Sequence, residues 1–366
     1  MISGYVVYLY AYDIAYDMRR EPIRELLGQP VATFMADVSK HSPQDLFFYR
    51  PEMVRLPAVE RVGPRGVARV ERTLKLLPVG AISITVRVPF EVKRLADLVD
   101  FHDLRFSNGA LEAEVRRLAE DALRELAPNC IRPVARLQED EAYTVFCIAS
   151  PLRGDDGKPL SGAAWMFAHR RGVAALLTQE KDPTRLSEAE VEETSVQHLS
   201  YYDRDLTVID WDAALIADEA RNFEEILHIL ELANVQLAEL KEYDRVLDAA
   251  LGRAYRDVEG GIRFWGGREV TAGLREIRID MARMADEITN ITKFFGDWHL
   301  ARVYQQLSDR FHLGDWSTTV NHKLKTLGEL YELLNQERMN RWMLFLEVCI
   351  VLLFVADLAL IFVLSH

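Results

Sequence analysis

The sequence predicts an α+β globular domain over residues 1–212, a helical hairpin or coiled-coil stalk over 213–341, and one C-terminal transmembrane helix over 342–364. Three observations carry this reading. The first part mixes β-branched and aromatic runs with amphipathic helices, without the regular alternation of a βαβ fold. From Ala213 on, strand signals give way to apolar residues at spacings of three and four. The last stretch reads WMLFLEVCIVLLFVADLALIFVL. At ~1.5 Å per residue it is long enough to cross a hydrocarbon core of ~30 Å.

In chain order, Tyr5–Tyr12 is a first strand, rich in tyrosine and valine. A short helix is expected around Arg19–Leu27. Further strands are expected at Asp45–Arg50, Met53–Val62, Val67–Leu76 and Ala81–Val88, separated by Pro51, Gly63-Pro64 and Pro78 with Gly80. Apolar spacing then predicts helices at Val92–Asp103 and Leu111–Leu126, parted by Asn108-Gly109. Tyr143–Ala149 reads as a buried strand, Arg153–Pro159 as a turn-rich loop, Gly162–Leu177 as a helix and Tyr201–Trp211 as the last extended segment. A long helix follows over Ala213–Asp257, and the paired glycines of Gly260–Gly267 make its closing turn.

The clearest soluble pattern is Leu274, Ile277, Met281, Met284, Ile288, Ile291 and Phe295, a coiled-coil seam of three heptads. Trp298–Phe311 is a shorter helix, and Gly314-Asp315 a break. The same spacing restarts at Val320, Leu324, Leu327, Tyr331 and Leu334. No Gly or Pro lies between Glu329 and Leu364, so one unbroken helix should run through both stalk and span.

Composition narrows the function. Charged residues at 28% and apolar residues at 49% suit a chain with real cores. A net charge of −13 disfavours nucleic acid as a partner. Cys130, Cys147 and Cys349 form no closely spaced pair, which argues against a disulfide framework or a zinc site. Arg338 and Arg341 precede the apolar stretch and would leave the N-terminal domain in the cytoplasm.

Among the candidate sites, Glu347 and Asp357 stand ten residues apart inside the apolar stretch, ~15 Å along a helix axis. Either they face a neighbouring span and hold an oligomer or line a pore, or each snorkels to its nearer interface. Between Arg50 and Arg94, ten basic residues oppose four acids, and Arg65, Arg69, Arg72 and Lys75 offer a basic docking face. A solvated sheet face explains the same pattern. Asp203, Asp205, Asp210 and Asp212 describe one polar strand face more readily than a metal site. Gly260–Gly267 lacks the Gly-Lys-Ser/Thr ending of a phosphate loop. No His-Glu-x-x-His or Gly-x-Ser-x-Gly is present, so no catalytic residue, cofactor or metal is expected.

The order Tyr304, Tyr331, Leu334, Asn335, Leu346-Glu347 and Asp357, with Asp297-Trp298 ahead of it, resembles the C-terminal pattern of one family. It is the YagE-type family, also called required for meiotic nuclear division. The resemblance covers residues 290–366 and puts Asp where that family has a second Glu. It implies a membrane-anchored, oligomeric, non-enzymatic protein, with mitochondrial relatives that support translation at the inner membrane.

The sequence thus reads as a tail-anchored scaffold or adaptor that holds a cytoplasmic domain at a membrane. Its expected partners are membrane lipid, further copies of the chain and a protein docked on the N-terminal domain. The alternative is a channel or transporter subunit with Glu347 and Asp357 lining an oligomeric pore.

Overall fold

In the computed structural model the described residues are 1–19, 21–33, 52–63, 66–77, 80–138, 141–149, 151–154, 157–196, 198–259, 279 and 298–364. They fall into two compact units: 1–241 with 286–314, and 242–285 with 315–366.

The first unit is built on one mixed sheet of nine strands. Its strands are β1 (Ile2–Asp13), β5 (Ala32–Thr33), β6 (Glu52–Gly63), β7 (Gly66–Leu77), β8 (Ala81–Val92), β12 (Glu141–Ala149), β13 (His198–Leu199), β14 (Leu206–Ile209) and β15 (Ala213–Asp218). They lie in the order β13-β14-β15-β12-β1-β8-β7-β6-β5. All pairs are antiparallel except β12 with β15. Three two-stranded ribbons complete the strands: β2 (Ala15–Met18) with β11 (Cys130–Pro133), β3 (Glu25–Leu26) with β4 (Gln29–Pro30), and β9 (Arg105–Phe106) with β10 (Gly109–Ala110).

Alternation along each strand sorts the side chains onto two faces. On one face Val6, Tyr8 and Tyr10 of β1, Ile84 and Val86 of β8 and Phe146 of β12 enter the main core. Over them pack α1 (Leu111–Leu126), α2 (Gly162–Leu177) and a 3-10 helix at Leu95–Phe101. The core carries its own polar anchor, since the buried Tyr8 hydroxyl donates to the Phe101 carbonyl at 2.5 Å. On the other face lies the first half of α4 (Phe223–Glu259), where Val235 and Ala238 meet Ala11, Leu77 and Ala81. α5 (Trp298–Arg310) joins it there: the Tyr304 hydroxyl donates to Gln236 Oε1 at 2.8 Å, and Phe311 just beyond α5 packs edge-on to Tyr143 at 5.2 Å. α3 (Glu188–Val196) is tied to this unit through Glu193 and Arg310.

The second unit holds the rest of α4 and α6 (Leu313–Leu364). Leu247, Ala250 and Ala254 of α4 are buried, as are Val320, Leu324, Leu327 and Tyr331 of α6. Lys323 of α6 reaches Asp244 and Asp248 of α4 at 2.7 and 2.6 Å.

Several expectations need correction. The first unit is a mixed α/β domain rather than α+β, because β12 and β15 pair in parallel around a long crossover containing α2 and α3. Strands also continue past residue 212: the alanine-rich run Ala213–Asp218 is β15, buried almost end to end, which is why it lacks a period-two signal. The expected helix at Arg19–Leu27 is replaced by the β3–β4 hairpin, whose Leu27 and Gly28 both take positive φ. The break expected at Gly314-Asp315 falls instead at His312, at φ +51, between α5 and α6.

The largest correction concerns the C-terminus. Among the described residues no helix is long and apolar enough to cross a membrane. The transmembrane helix, the tail anchor, the membrane location and the cytoplasmic placement are therefore not supported.

Candidate functional site

Three features of the described residues bear on function: a buried charged interface, a cleft in the sheet and an exposed apolar helix.

The buried interface lies between α4 and the sheet. Glu224, His228, Glu231, Val235 and Ala238 recur at spacings of four and three, so they form one stripe of α4. Ala81, Ser83, Thr85 and Arg87 form the matching period-two row on β8, with Lys75 and Leu77 beside them on β7. The apolar ends of the two rows meet, and so do the polar ends. Arg87 pairs with Glu224 at 2.5 Å. Glu231 accepts from Ser83 Oγ at 2.6 Å and from Thr85 Oγ1 at 3.4 Å, and it pairs with the Lys75 ammonium. His228 Nδ1 lies 3.7 Å from the same carboxylate.

Burial opposes charge on Glu231, but Lys75 and the His228 imidazole outweigh it and hold the carboxyl down to about 2. Burial pushes the His228 imidazole below its ordinary range. Burial also opposes charge on Glu224, yet the hydrogen bond and charge of Arg87 bring that carboxyl below its usual value. Such a network fixes the register of a helix on a sheet, because any slip would leave a buried charge without its partner.

Buried pairing of this kind accounts for part of the basic excess in residues 50–94. Lys75 and Arg87 are neutralised by Glu231 and Glu224 of α4. Arg61 and Arg72 share Glu114 of α1 at 2.8 and 3.2 Å, and Arg72 also donates to the Pro57 carbonyl at 3.1 Å. Of the basic face expected from sequence, Arg69 is exposed, Arg72 is half-buried and Lys75 is buried, so the set divides between the two sides of β7. Arg65 lies outside the described residues. The missed signal was the set Glu224, His228 and Glu231, polar positions on the same stripe of α4 as Val235 and Ala238.

The other candidates separate. Glu347 is exposed on α6, while the side chain of Asp357 lies outside the described residues. The seam residues Leu274, Ile277, Met281, Met284, Ile288, Ile291 and Phe295 lie outside them too, as does Gly260–Gly267. Asp205 is a buried turn-former, accepting from the backbone N–H of Tyr201 at 2.8 Å and of Tyr202 at 2.7 Å. Asp210 accepts from Thr194 Oγ1 at 3.2 Å and from the Trp211 N–H at 2.9 Å. Among the described residues no group of three or more His, Cys, Asp or Glu is placed to hold a metal. His169 stacks on Trp165 at 4.5 Å, and Arg171 donates to the Pro183 and Leu186 carbonyls.

The cleft, ~750 Å³ in volume, opens where β7 and β8 diverge, among residues that include Tyr5, Arg69, Glu91, Phe101, Leu104 and Phe106. The third feature is α6 from Trp342 to Val355, where twelve large apolar side chains are exposed.

A nine-stranded mixed sheet with helices on both faces defines an α/β domain that takes in the first half of α4 and α5. The family model described as "Uncharacterized protein MJ0711, N-terminal domain" matches residues 3–224, more than half of the 366-residue chain, and the chain belongs to that family. It is 24% identical over 220 residues to the uncharacterized protein MJ0711 of Methanocaldococcus jannaschii. That match covers 60% of this chain and 65% of the relative, somewhat under two thirds of its length. No solved structure matches the chain. The resemblance to the YagE-type family is therefore corrected: the family shown is a different one, and it rests on the N-terminal domain rather than on residues 290–366.

Proposed function

We propose that the protein is a non-enzymatic scaffold, whose α/β domain is presented in several copies through association of the C-terminal helices. The observation that carries this is the exposed apolar run of α6, Trp342 to Val355. A helix that is apolar on every side is stable in water only when neighbours surround it. Each of the twelve side chains can withdraw on the order of 60 Å² from water. Together they approach the ~800 Å² that one partner brings to a stable interface. The heptad spacing of residues 274–295 supports the same reading, because such seams pair helices.

The test is the mass of the full chain by sedimentation in detergent-free buffer at micromolar concentration. An oligomer that falls to a monomer on Leu346→Lys with Leu353→Lys, with the α/β domain still folded, is the expected result. A wild-type monomer overturns the reading. So does a chain that stays in solution only with detergent and is monomeric in it.

A further inference from the structure

β7 and β8 pair from Leu77↔Ala81 to Glu71↔Arg87 and then part. Beyond that point β7 continues with β6, from Val59↔Val70 to Gly63↔Gly66. β8 continues with β1, from Val6↔Val88 to Ile2↔Val92. The sheet forks, and Pro89 gives the reason.

The direction of the backbone groups follows from one bond. Val62 accepts from the Ser107 N–H at 2.9 Å, so its carbonyl points away from β7. In an antiparallel ladder, Val62↔Val67 is then a non-hydrogen-bonded pair, and Val67 turns its N–H and carbonyl toward the fork. Two residues on, Arg69 does the same, and so does Glu71, which makes Glu71↔Arg87 the last bonded pair. The next β8 residue facing β7 is Pro89, which has no N–H to donate, and the ladder ends there. Val67 and Arg69 stay beside β6 but turn complete donor and acceptor sets toward the fork, where no strand among the described residues pairs with them.

We propose that this fork is a strand-binding site, which takes an extended segment of a partner polypeptide on the free edge of β7. The size fits: a five-residue strand at the spacings of a sheet fills about 17 Å by 10 Å by 4.8 Å, ~800 Å³, against a cleft of ~750 Å³. The chemistry of the walls specifies the segment. One side of the cleft presents Phe101, Leu104 and Phe106, and the other presents Tyr5, Arg69 and Glu91. The occupant is therefore an alternating strand, apolar toward the phenylalanines and polar on its opposite face. Arg69 is 71% exposed and only loosely held by Glu71 at 3.7 Å, so the segment carries at most one acidic residue, placed beside Arg69 and away from the Glu91 and Asp100 carboxylates of the same cleft. The main-chain bonds supply affinity and the alternate side chains specificity, as in other strand-addition sites. The outer edge of the sheet is a poorer template, since β6 carries Pro57, charged residues at Arg55 and Glu60, and a register shift between Leu56 and Val59.

The test uses the full chain and a fluorescent seven-residue peptide, capped at both ends, alternating valine and threonine with the central threonine replaced by glutamate. Binding is read by anisotropy, and amide exchange is followed at Val67 and Arg69. The expected result is rapid exchange at both amides in the free chain, slowed at least tenfold by the peptide. Val67→Pro, which removes one edge donor without touching the β6 ladder, should weaken binding about tenfold. A peptide N-methylated at alternate amides should not bind, and this arm stands even where Val67→Pro fails to fold. Protection of Val67 and Arg69 in the free chain overturns the proposal. So does the absence of binding at millimolar peptide, or equal binding of the methylated peptide.

Discussion

Ser83 Oγ donates to Glu231 Oε1 at 2.6 Å, while the other oxygen of that carboxylate meets the Lys75 ammonium. All three groups are buried. Removing one partner leaves the other as a buried charge, which costs ~3–5 kcal/mol, whereas removing both need cost little. Glu231→Leu and Lys75→Met should each lower unfolding stability by about that amount, and the double variant should recover most of it. Urea titration of the four proteins checks this; additive losses would show that the pair contributes no coupling.

The same cluster sets the response to acid. Glu231 is held down to about 2 from an ordinary 4.5, so the unfolded chain takes up that proton first. Its contribution is complete above ~4.5 and is lost as pH falls toward 2. Glu224 is shifted in the same direction by Arg87. His228, lowered from 6.5 by burial, is neutral in the fold, and the unfolded chain begins to bind its proton near 6.5. Stability should therefore fall in two stages on acidification, first below 6.5 and then below 4.5. His228→Gln should shrink the first stage and leave the second, the remainder of the first belonging to His102, which burial also lowers from 6.5. A urea midpoint unchanged between neutrality and pH 5 would refute the buried imidazole.

What could be read from sequence follows what each element depends on. β1, β6, β7, β8 and β12 are legible because alternation and β-branched residues are local properties, and α1 and α2 because apolar spacing is. β15 is not, since a strand buried on both faces loses its period and Ala213–Asp218 then resembles a helix start. The α4–sheet interface is hidden for another reason. Lys75 and Glu231 are 156 residues apart, and each alone looks like an ordinary surface charge. The fork is half legible: Pro89 within a strand announces a missing bond, but which neighbour loses it depends on the order of strands in the sheet.

The thiols give a third expectation. Cys147 lies on β12 in full burial, which pushes its thiol up to about 12, although the nearby Arg87 pulls the other way. The thiolate is the reactive species, so Cys147 should resist iodoacetamide in the native chain and react only on unfolding. Peptide mapping after labelling at pH 8, with and without urea, distinguishes the two states. Native labelling at Cys147 would mean that the sheet opens on the labelling timescale.

The last expectation concerns Gly80, between β7 and β8, where the end of β1 docks. Gly80 takes φ +93, and its carbonyl accepts from the N–H groups of both Ile14 and Ala15 at 2.9 Å. A Cβ added there would lie 1.9 Å from the Ala15 carbonyl oxygen, a backbone atom that cannot swing aside. Gly157 is the natural control, at φ +77 with nothing within 4 Å of an added Cβ. Positive φ alone costs a non-glycine residue ~1 kcal/mol or somewhat more, so Gly157→Ala should lose about that. Gly80→Ala must in addition displace backbone and weaken two hydrogen bonds of ~1 kcal/mol each, for a total of about 3–5 kcal/mol. Paired urea titrations read the difference directly. Equal losses at the two positions would mean that the Ile14–Gly80 contact yields without cost, and that β1 and β8 are held in register by their ladder rather than by this turn.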